Sequence, residues 1–262
     1  MFGLFSKKGK NECPIDRPTR LWMEQAFLWL AGQFGEENIA TKPMLLPIPD
    51  HFPVHYDGSK ESLTKTAEIV ARQMEIDINE VSLDIYEQNI QEFRGDLGNR
   101  IWTEIDKESE EKLSAGLYFG KNEDDKYEVL IEKNNLNDPE NLVSTLAHEF
   151  SHIKILGENR LDSNDESLTD LTPVIFGLGI FNANSSFKEH KTFDSYGHNS
   201  IGYLKQRECG YALALYSFYR EEQNTDWIKY LTPNIKSDFR KSMDFILANT
   251  DKVFIEDIEA NG

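Results

Sequence analysis

Residues 137–157 read NDPENLVSTLAHEFSHIKILG, and this stretch decides what fold the chain is expected to adopt. Asn137 or Asp138 can cap a helix whose first turn accommodates Pro139. Apolar residues then recur at helical spacing until Gly157, a residue suited to ending a helix. They are Leu142, Val143, Leu146, Ala147, Phe150 and Ile153. The spacing predicts a helix with one buried face.

This helix contains the sequence His148-Glu149-Phe150-Ser151-His152, an H-E-x-x-H motif. Four residues make just over one helical turn, so both imidazoles project from one face and can reach one tetrahedral Zn²⁺. Glu149 lies about 100° around the helix from His148, where its carboxylate can reach a water without binding the metal. We therefore predict His148 and His152 as zinc ligands and Glu149 as a general base.

A zinc enzyme needs a third protein ligand, and the next predicted helix offers one. After the turn-forming residues 162–165, the chain reads Glu166-Ser167-Leu168-Thr169-Asp170, with two carboxylates on one helical face. Glu166 is the predicted third ligand, and Asp170 is predicted to accept the other ring N–H of His148 or His152. The alternatives for the third ligand are Glu158, Asp162, Asp165, His190 and His198.

The two motifs together resemble the gluzincins, the thermolysin-like zinc peptidases, and especially their small bacterial members. The resemblance covers about residues 137–180 and implies Zn²⁺ held by His148, His152 and Glu166, with Glu149 as base and Asp170 orienting a ligand histidine. The gap between His152 and Glu166 is shorter than in thermolysin, so residues 162–165 must turn quickly. The metzincin pattern fails, since Ile155 and Glu158 stand where it requires Gly and His. The order of the whole chain also resembles an uncharacterised bacterial family, which implies no activity.

The predicted fold class is α+β and mostly helical, with a zincin-like pair of active-site helices and a small antiparallel sheet. Residues 1–16 are expected to form a mobile tail, 17–112 an N-terminal α/β region, and 113–262 a zincin-like helical catalytic region; the last two are also compatible with one continuous domain. Further helices are predicted over 17–34, 62–74, 200–222 and 235–247. A strand is predicted over residues 81–86, which alternate between apolar and polar, and a hairpin is predicted from the two strand-like segments 115–120 and 127–132. Residues 42–58 are expected to form a proline-rich arm. The polar stretch that follows residue 86 and ends at 112 has little periodicity.

Two features could complete a peptidase site. Strand Tyr127–Glu132 is either an exposed edge that pairs with an extended peptide or an ordinary buried strand. Tyr203, His198 and Tyr211 lie in or just before the helix at 200–222 and could stabilise an oxyanion. The tyrosines also fit a core stripe, which favours packing over catalysis.

The charge of the chain limits its partners. Its 28 Lys and Arg against 46 Asp and Glu give a net charge of −18, so nucleic acid is not an expected partner. The longest apolar run, 171–181, is too short to span a membrane, and the N-terminus has no secretory leader pattern. We expect a cytoplasmic protein whose Cys13 and Cys209 are free thiols. His51 and His55 are expected to be loop histidines that bind no metal.

The sequence therefore predicts a zinc-dependent metallopeptidase that hydrolyses peptide bonds in a peptide or protein substrate, and the acidic charge of the chain is compatible with a preference for basic substrates. The alternative is a catalytically silent, acidic protein-binding module with a zincin fold. A chance occurrence of the motif in a helical protein is the third hypothesis.

Overall fold

The computed structural model describes residues 12–87, 90–94, 100–104, 115–190 and 204–254. The described fold is α+β and mostly helical, as predicted. It forms two compact units, one from residues up to 47 and from 165 onward, the other from 48–164. The boundary predicted near residue 112 and most of the predicted tail lie outside the described residues.

The first unit is helical. Its helices are α1 (Arg17–Phe34), α2 (Glu36–Thr41), α5 (Glu166–Ile175), α6 (Gly179–His190), α7 (Gln206–Tyr219) and α8 (Pro233–Ala248). The Asp16 side chain caps α1 by accepting a hydrogen bond from the Thr19 N–H. Gly35, with a φ of +90°, separates α1 from α2, a short helix that the sequence pattern did not predict. Between α7 and α8 the backbones approach closely, since a Cβ on Gly210 would lie 2.8 Å from Asp238 Cβ.

The second unit contains helices α3 (Lys60–Gln73) and α4 (Pro139–His152) and a sheet built from β1 (Val81–Tyr86), β4 (Gly116–Lys121) and β5 (Tyr127–Glu132). The sheet has the order β1-β5-β4. Strands β1 and β5 run parallel from Val81↔Tyr127 to Tyr86↔Glu132, whereas β4 and β5 form the predicted antiparallel hairpin. The sheet is thus mixed, and the prediction of an antiparallel sheet was wrong because it included only the local hairpin.

Strand β5 is the central strand of this sheet, and all six of its residues are buried. The hypothesis that Tyr127–Glu132 is an exposed edge was therefore wrong, and the alternative of an ordinary buried strand is confirmed. Within the described residues β4 pairs only with β5, so β4 is an edge strand.

A second, two-stranded sheet pairs β2 (Ile90–Arg94) with β3 (Arg100–Glu104) in antiparallel register. These strands lie in the polar stretch in which the sequence showed little periodicity. The helix predicted over 200–222 begins at Gln206 and ends at Tyr219, while 200–203 lie outside the described residues. The two cysteines are free, as predicted.

Helix α4 is built as its sequence suggests. Asp138 caps it by accepting a hydrogen bond from the Asn141 N–H, and Pro139 occupies the first turn. The predicted apolar face is buried against α3, β4 and β5. After His152 the helix continues as a π-helical turn, Ile153–Gly157.

A buried acid ties α1 to α7 within the first unit. Glu24 has no solvent exposure; its carboxylate pairs with Arg20 at 2.9 Å and accepts a 2.6 Å hydrogen bond from the Tyr211 hydroxyl. Burial, the hydrogen bond and the charge of Glu24 raise the pKa of Tyr211, in that order of importance. The Tyr211 hydroxyl is thus engaged in the core, and its packing role is confirmed.

We expect Tyr211→Phe to lower the free energy of unfolding by about 1.5–3 kcal/mol, because it removes a buried hydrogen bond to a carboxylate. Denaturant unfolding measures the change. Tyr219→Phe is the control, since the Tyr219 ring packs on Phe27 and Phe254 and the substitution keeps that ring. Equal stability of Tyr211→Phe and wild type would contradict this role.

Candidate metal centre

Helix α4 presents the two histidines of the motif side by side. The rings of His148 and His152 lie edge to face, with centroids 5.0 Å apart and planes at 86°. His152 is buried and His148 is half-buried. The one-turn spacing expected from sequence is therefore present in the structure, with one imidazole reachable from solvent and the other held in the protein.

The Glu149 side chain extends from α4 towards the start of the edge strand β4. Only 3% of its surface is exposed, and it packs against the backbone of Gly116. A Cβ at Gly116 would lie 2.7 Å from Glu149 Oε1, 2.8 Å from Glu149 Cγ and 2.7 Å from Thr145 Cγ2. Because residue 116 has no side chain, the Glu149 side chain can pack against the backbone of β4.

Tyr86, the last residue of β1, interacts electrostatically with Glu149, and the sequence pattern did not predict this interaction. Burial raises the pKa of Tyr86, and the charges of Glu132 and Glu149 raise it further. Tyr86 pairs in register with Glu132 on β5. No local sequence signal distinguishes Tyr86 from any other aromatic residue at the end of a strand.

Glu132 fixes the segment that leads into α4. Its carboxylate accepts hydrogen bonds from the N–H groups of Asn134 and Asn135, at 2.7 and 3.2 Å. The Asn135 amide in turn donates to Thr145 Oγ1 at 2.7 Å, one turn before Glu149. A chain of hydrogen bonds therefore connects the end of β5 with the middle of α4.

Two tyrosines contact the segment from His152 to Gly157. The Tyr118 ring stacks on the His152 ring, with centroids 5.6 Å apart and planes 14° apart. The Tyr127 hydroxyl donates to the Gly157 carbonyl at 3.0 Å. Burial raises the pKa of Tyr118 to about 12, with a smaller contribution from Tyr127.

Glu166 is the first residue of α5, whose N-cap Asp165 accepts a hydrogen bond from the Leu168 N–H. His148, His152 and Glu166 each offer one ligand atom, and these three atoms lie within 4.8 Å of one another. Within the portion of the chain that the structure describes, this is the only group of three or more His, Cys, Asp or Glu side chains so placed.

The donor set fits zinc. Two imidazole nitrogens and one carboxylate oxygen are ligands that Zn²⁺ accepts, and three protein ligands leave a fourth position open. Bonds of about 2.0–2.2 Å at tetrahedral angles separate ligand atoms by about 3.4 Å, which is compatible with three atoms that lie within 4.8 Å of one another.

The alternatives for the third ligand are placed differently. Glu158 forms ion pairs with Lys154 and Arg160, and Asp165 caps α5. Asp162 belongs to no group of potential ligands among the described residues. The His190 side chain and His198 lie outside what is described.

Asp170 lies on α5 one turn after Glu166 and is 8% exposed. Its carboxylate accepts a 2.9 Å hydrogen bond from the Leu204 N–H. Its bond to a histidine ring stays a prediction. His198 and Tyr203, the candidate oxyanion-stabilising residues, lie outside the described residues.

Comparison with protein-family models, curated proteins and solved structures found no match. Among the described residues, no helix combines the length and apolar character that a membrane span requires.

We expect Gly116→Ala to lower the free energy of unfolding by about 1–3 kcal/mol, because the new methyl group would overlap Glu149 and Thr145. Gly32→Ala is the matched control, since a Cβ there has no neighbour within 4 Å. On a helix this control should stabilise by about 0.5–1 kcal/mol. A stabilising Gly116→Ala substitution would contradict the close approach of Glu149.

Proposed function

We propose that this chain is a zinc-dependent peptidase in which His148, His152 and Glu166 hold the metal. The observation that carries the proposal is the proximity of these three ligand atoms, within 4.8 Å of one another, beside a buried carboxylate on the same helix. A structural zinc site normally closes with four protein ligands and needs no base. Three ligands beside Glu149 therefore favour catalysis.

Zinc, when bound, supplies a Lewis acid that polarises a peptide carbonyl and makes water more acidic. Glu149 would accept the proton of the attacking water and deliver it to the leaving amine. The contact with Gly116 restricts the Glu149 side chain, and restricted motion favours proton transfer at a fixed place.

The substrate in this proposal is an extended peptide that pairs with the edge strand β4. An edge strand presents unpaired main-chain groups, which can bind a peptide of varied sequence. Gly116 at the start of β4 contacts Glu149, so a peptide bound along this strand would pass close to the base. The net charge of −18 favours basic substrates over acidic ones.

The zinc content of the purified protein tests the metal site. We expect one zinc per chain in the wild type by mass spectrometry, and its loss in His152→Ala and Glu166→Ala. His55→Ala and Glu140→Ala are matched controls at exposed positions and should keep the metal. Retention of one zinc per chain by Glu166→Ala would exclude Glu166 as the third ligand.

Glu149→Gln separates metal binding from catalysis. We expect this variant to keep one zinc per chain and to cleave a peptide library about 10²–10⁴-fold more slowly, because the amide cannot accept the proton. Wild-type turnover in Glu149→Gln would contradict the base assignment. Zinc binding without cleavage of any peptide by the wild type would favour a silent protein-binding module.

A further inference from the structure

Tyr118 on β4 contacts a candidate metal ligand through its ring face. Its phenol ring lies nearly parallel to the His152 imidazole, with centroids 5.6 Å apart and planes at 14°. Both residues belong to one compact unit, and Tyr118 itself is half-buried. The geometry places an aromatic plane along one side of the imidazole.

The π-helical turn after His152, Ile153–Gly157, packs against the same β4–β5 hairpin that carries Tyr118. A Cβ at Gly157, the last residue of the π-helical turn, would lie 2.6 Å from Tyr127 Cε1 and 3.1 Å from the Tyr118 hydroxyl. The Tyr127 hydroxyl also donates to the Gly157 carbonyl at 3.0 Å. Residues of both hairpin strands therefore pack against the turn that continues from His152.

This packing bears on ligand geometry because rotation of an imidazole about χ2 is broad and roughly two-fold. A ring stacked on one face narrows that rotation to orientations parallel to the stack. When an imidazole binds a divalent cation it becomes more positive, and the electron-rich face of an aromatic ring then attracts it more strongly. Both effects favour the metal-bound state.

We propose that Tyr118 is a positioning residue that holds the His152 imidazole in the orientation needed for metal binding. The proposal rests on the metal site of the proposed function. It assigns the effect to the ring face of Tyr118, so Tyr118→Phe should keep the effect, while Tyr118→Leu and Tyr118→Met should lose it.

The test is metal binding by the full-length chain, stripped of metal with a chelator. Zn²⁺ affinity is measured by competition with a chromophoric chelator, and the visible spectrum of bound Co²⁺ reports ligand geometry. We expect Tyr118→Phe to bind Zn²⁺ within about twofold of wild type and Tyr118→Leu to bind about 10-fold more weakly, with a changed Co²⁺ spectrum. Tyr118→Met provides a second ringless variant if Tyr118→Leu does not fold.

Tyr219→Leu is the matched control. It removes another half-buried tyrosine ring, one that packs on Phe27 and Phe254 rather than on a histidine. Circular dichroism and thermal unfolding confirm that each variant is folded. Loss of stability without loss of Zn²⁺ affinity is the expected result for Tyr219→Leu.

Three results would overturn the proposal in distinguishable ways. Wild-type affinity and spectrum in a folded ringless variant would overturn the role of Tyr118 and leave the metal site intact. An equal loss of affinity in Tyr118→Phe would overturn the assignment to the ring face. Failure of the wild type to bind Zn²⁺ or Co²⁺ would overturn both this proposal and the proposed function.

Discussion

The contact between Glu149 and the backbone of Gly116 is the constraint on which the candidate site depends. Helix α4 carries both histidines and Glu149, and it can approach β4 this closely only because residue 116 has no side chain. The apolar face of α4 packs on the same sheet, so burial and the glycine contact fix one rotation of the helix. That rotation decides where both imidazoles project.

Buried acidic side chains lie within this packed region. Glu132 and Glu149 are both buried, and burial of a carboxylate is costly unless hydrogen bonds or opposite charges compensate for it. Backbone N–H groups and an amide satisfy Glu132. A divalent cation bound by His148, His152 and Glu166 would bring positive charge to the same neighbourhood. Metal binding and the burial of acidic groups would then support each other.

Local sequence patterns predicted many of the helices, the hairpin and the grouping of the candidate ligands. The period of apolar residues located α1, α3, α4 and α8, and turn residues located the hairpin of β4 and β5. The spacing of His148, His152 and Glu166 predicted which side chains lie together, because it depends on helical geometry and a short connection. Their roles as ligands, and that of Glu149 as a base, stay predictions.

Long-range contacts could not be predicted in the same way. The strand-like composition of 127–132 cannot show that β1 pairs with this segment in parallel, which makes β5 the central strand and places β1 and β4 on either side of it. The partnership of Tyr211 with Glu24 spans 187 residues. The contacts of Gly116 with Glu149 and of Tyr118 with His152 likewise join residues far apart in the sequence, and neither Gly116 nor Tyr118 belongs to a recognisable motif.

A crystal structure of the zinc-loaded protein, with anomalous diffraction measured on both sides of the zinc absorption edge, tests the central claim most directly. The account predicts one anomalous peak per chain, about 2.0–2.2 Å from a nitrogen of His148, a nitrogen of His152 and a carboxylate oxygen of Glu166. An anomalous peak bound by other residues, or no peak at these three side chains in fully zinc-loaded crystals, would contradict it.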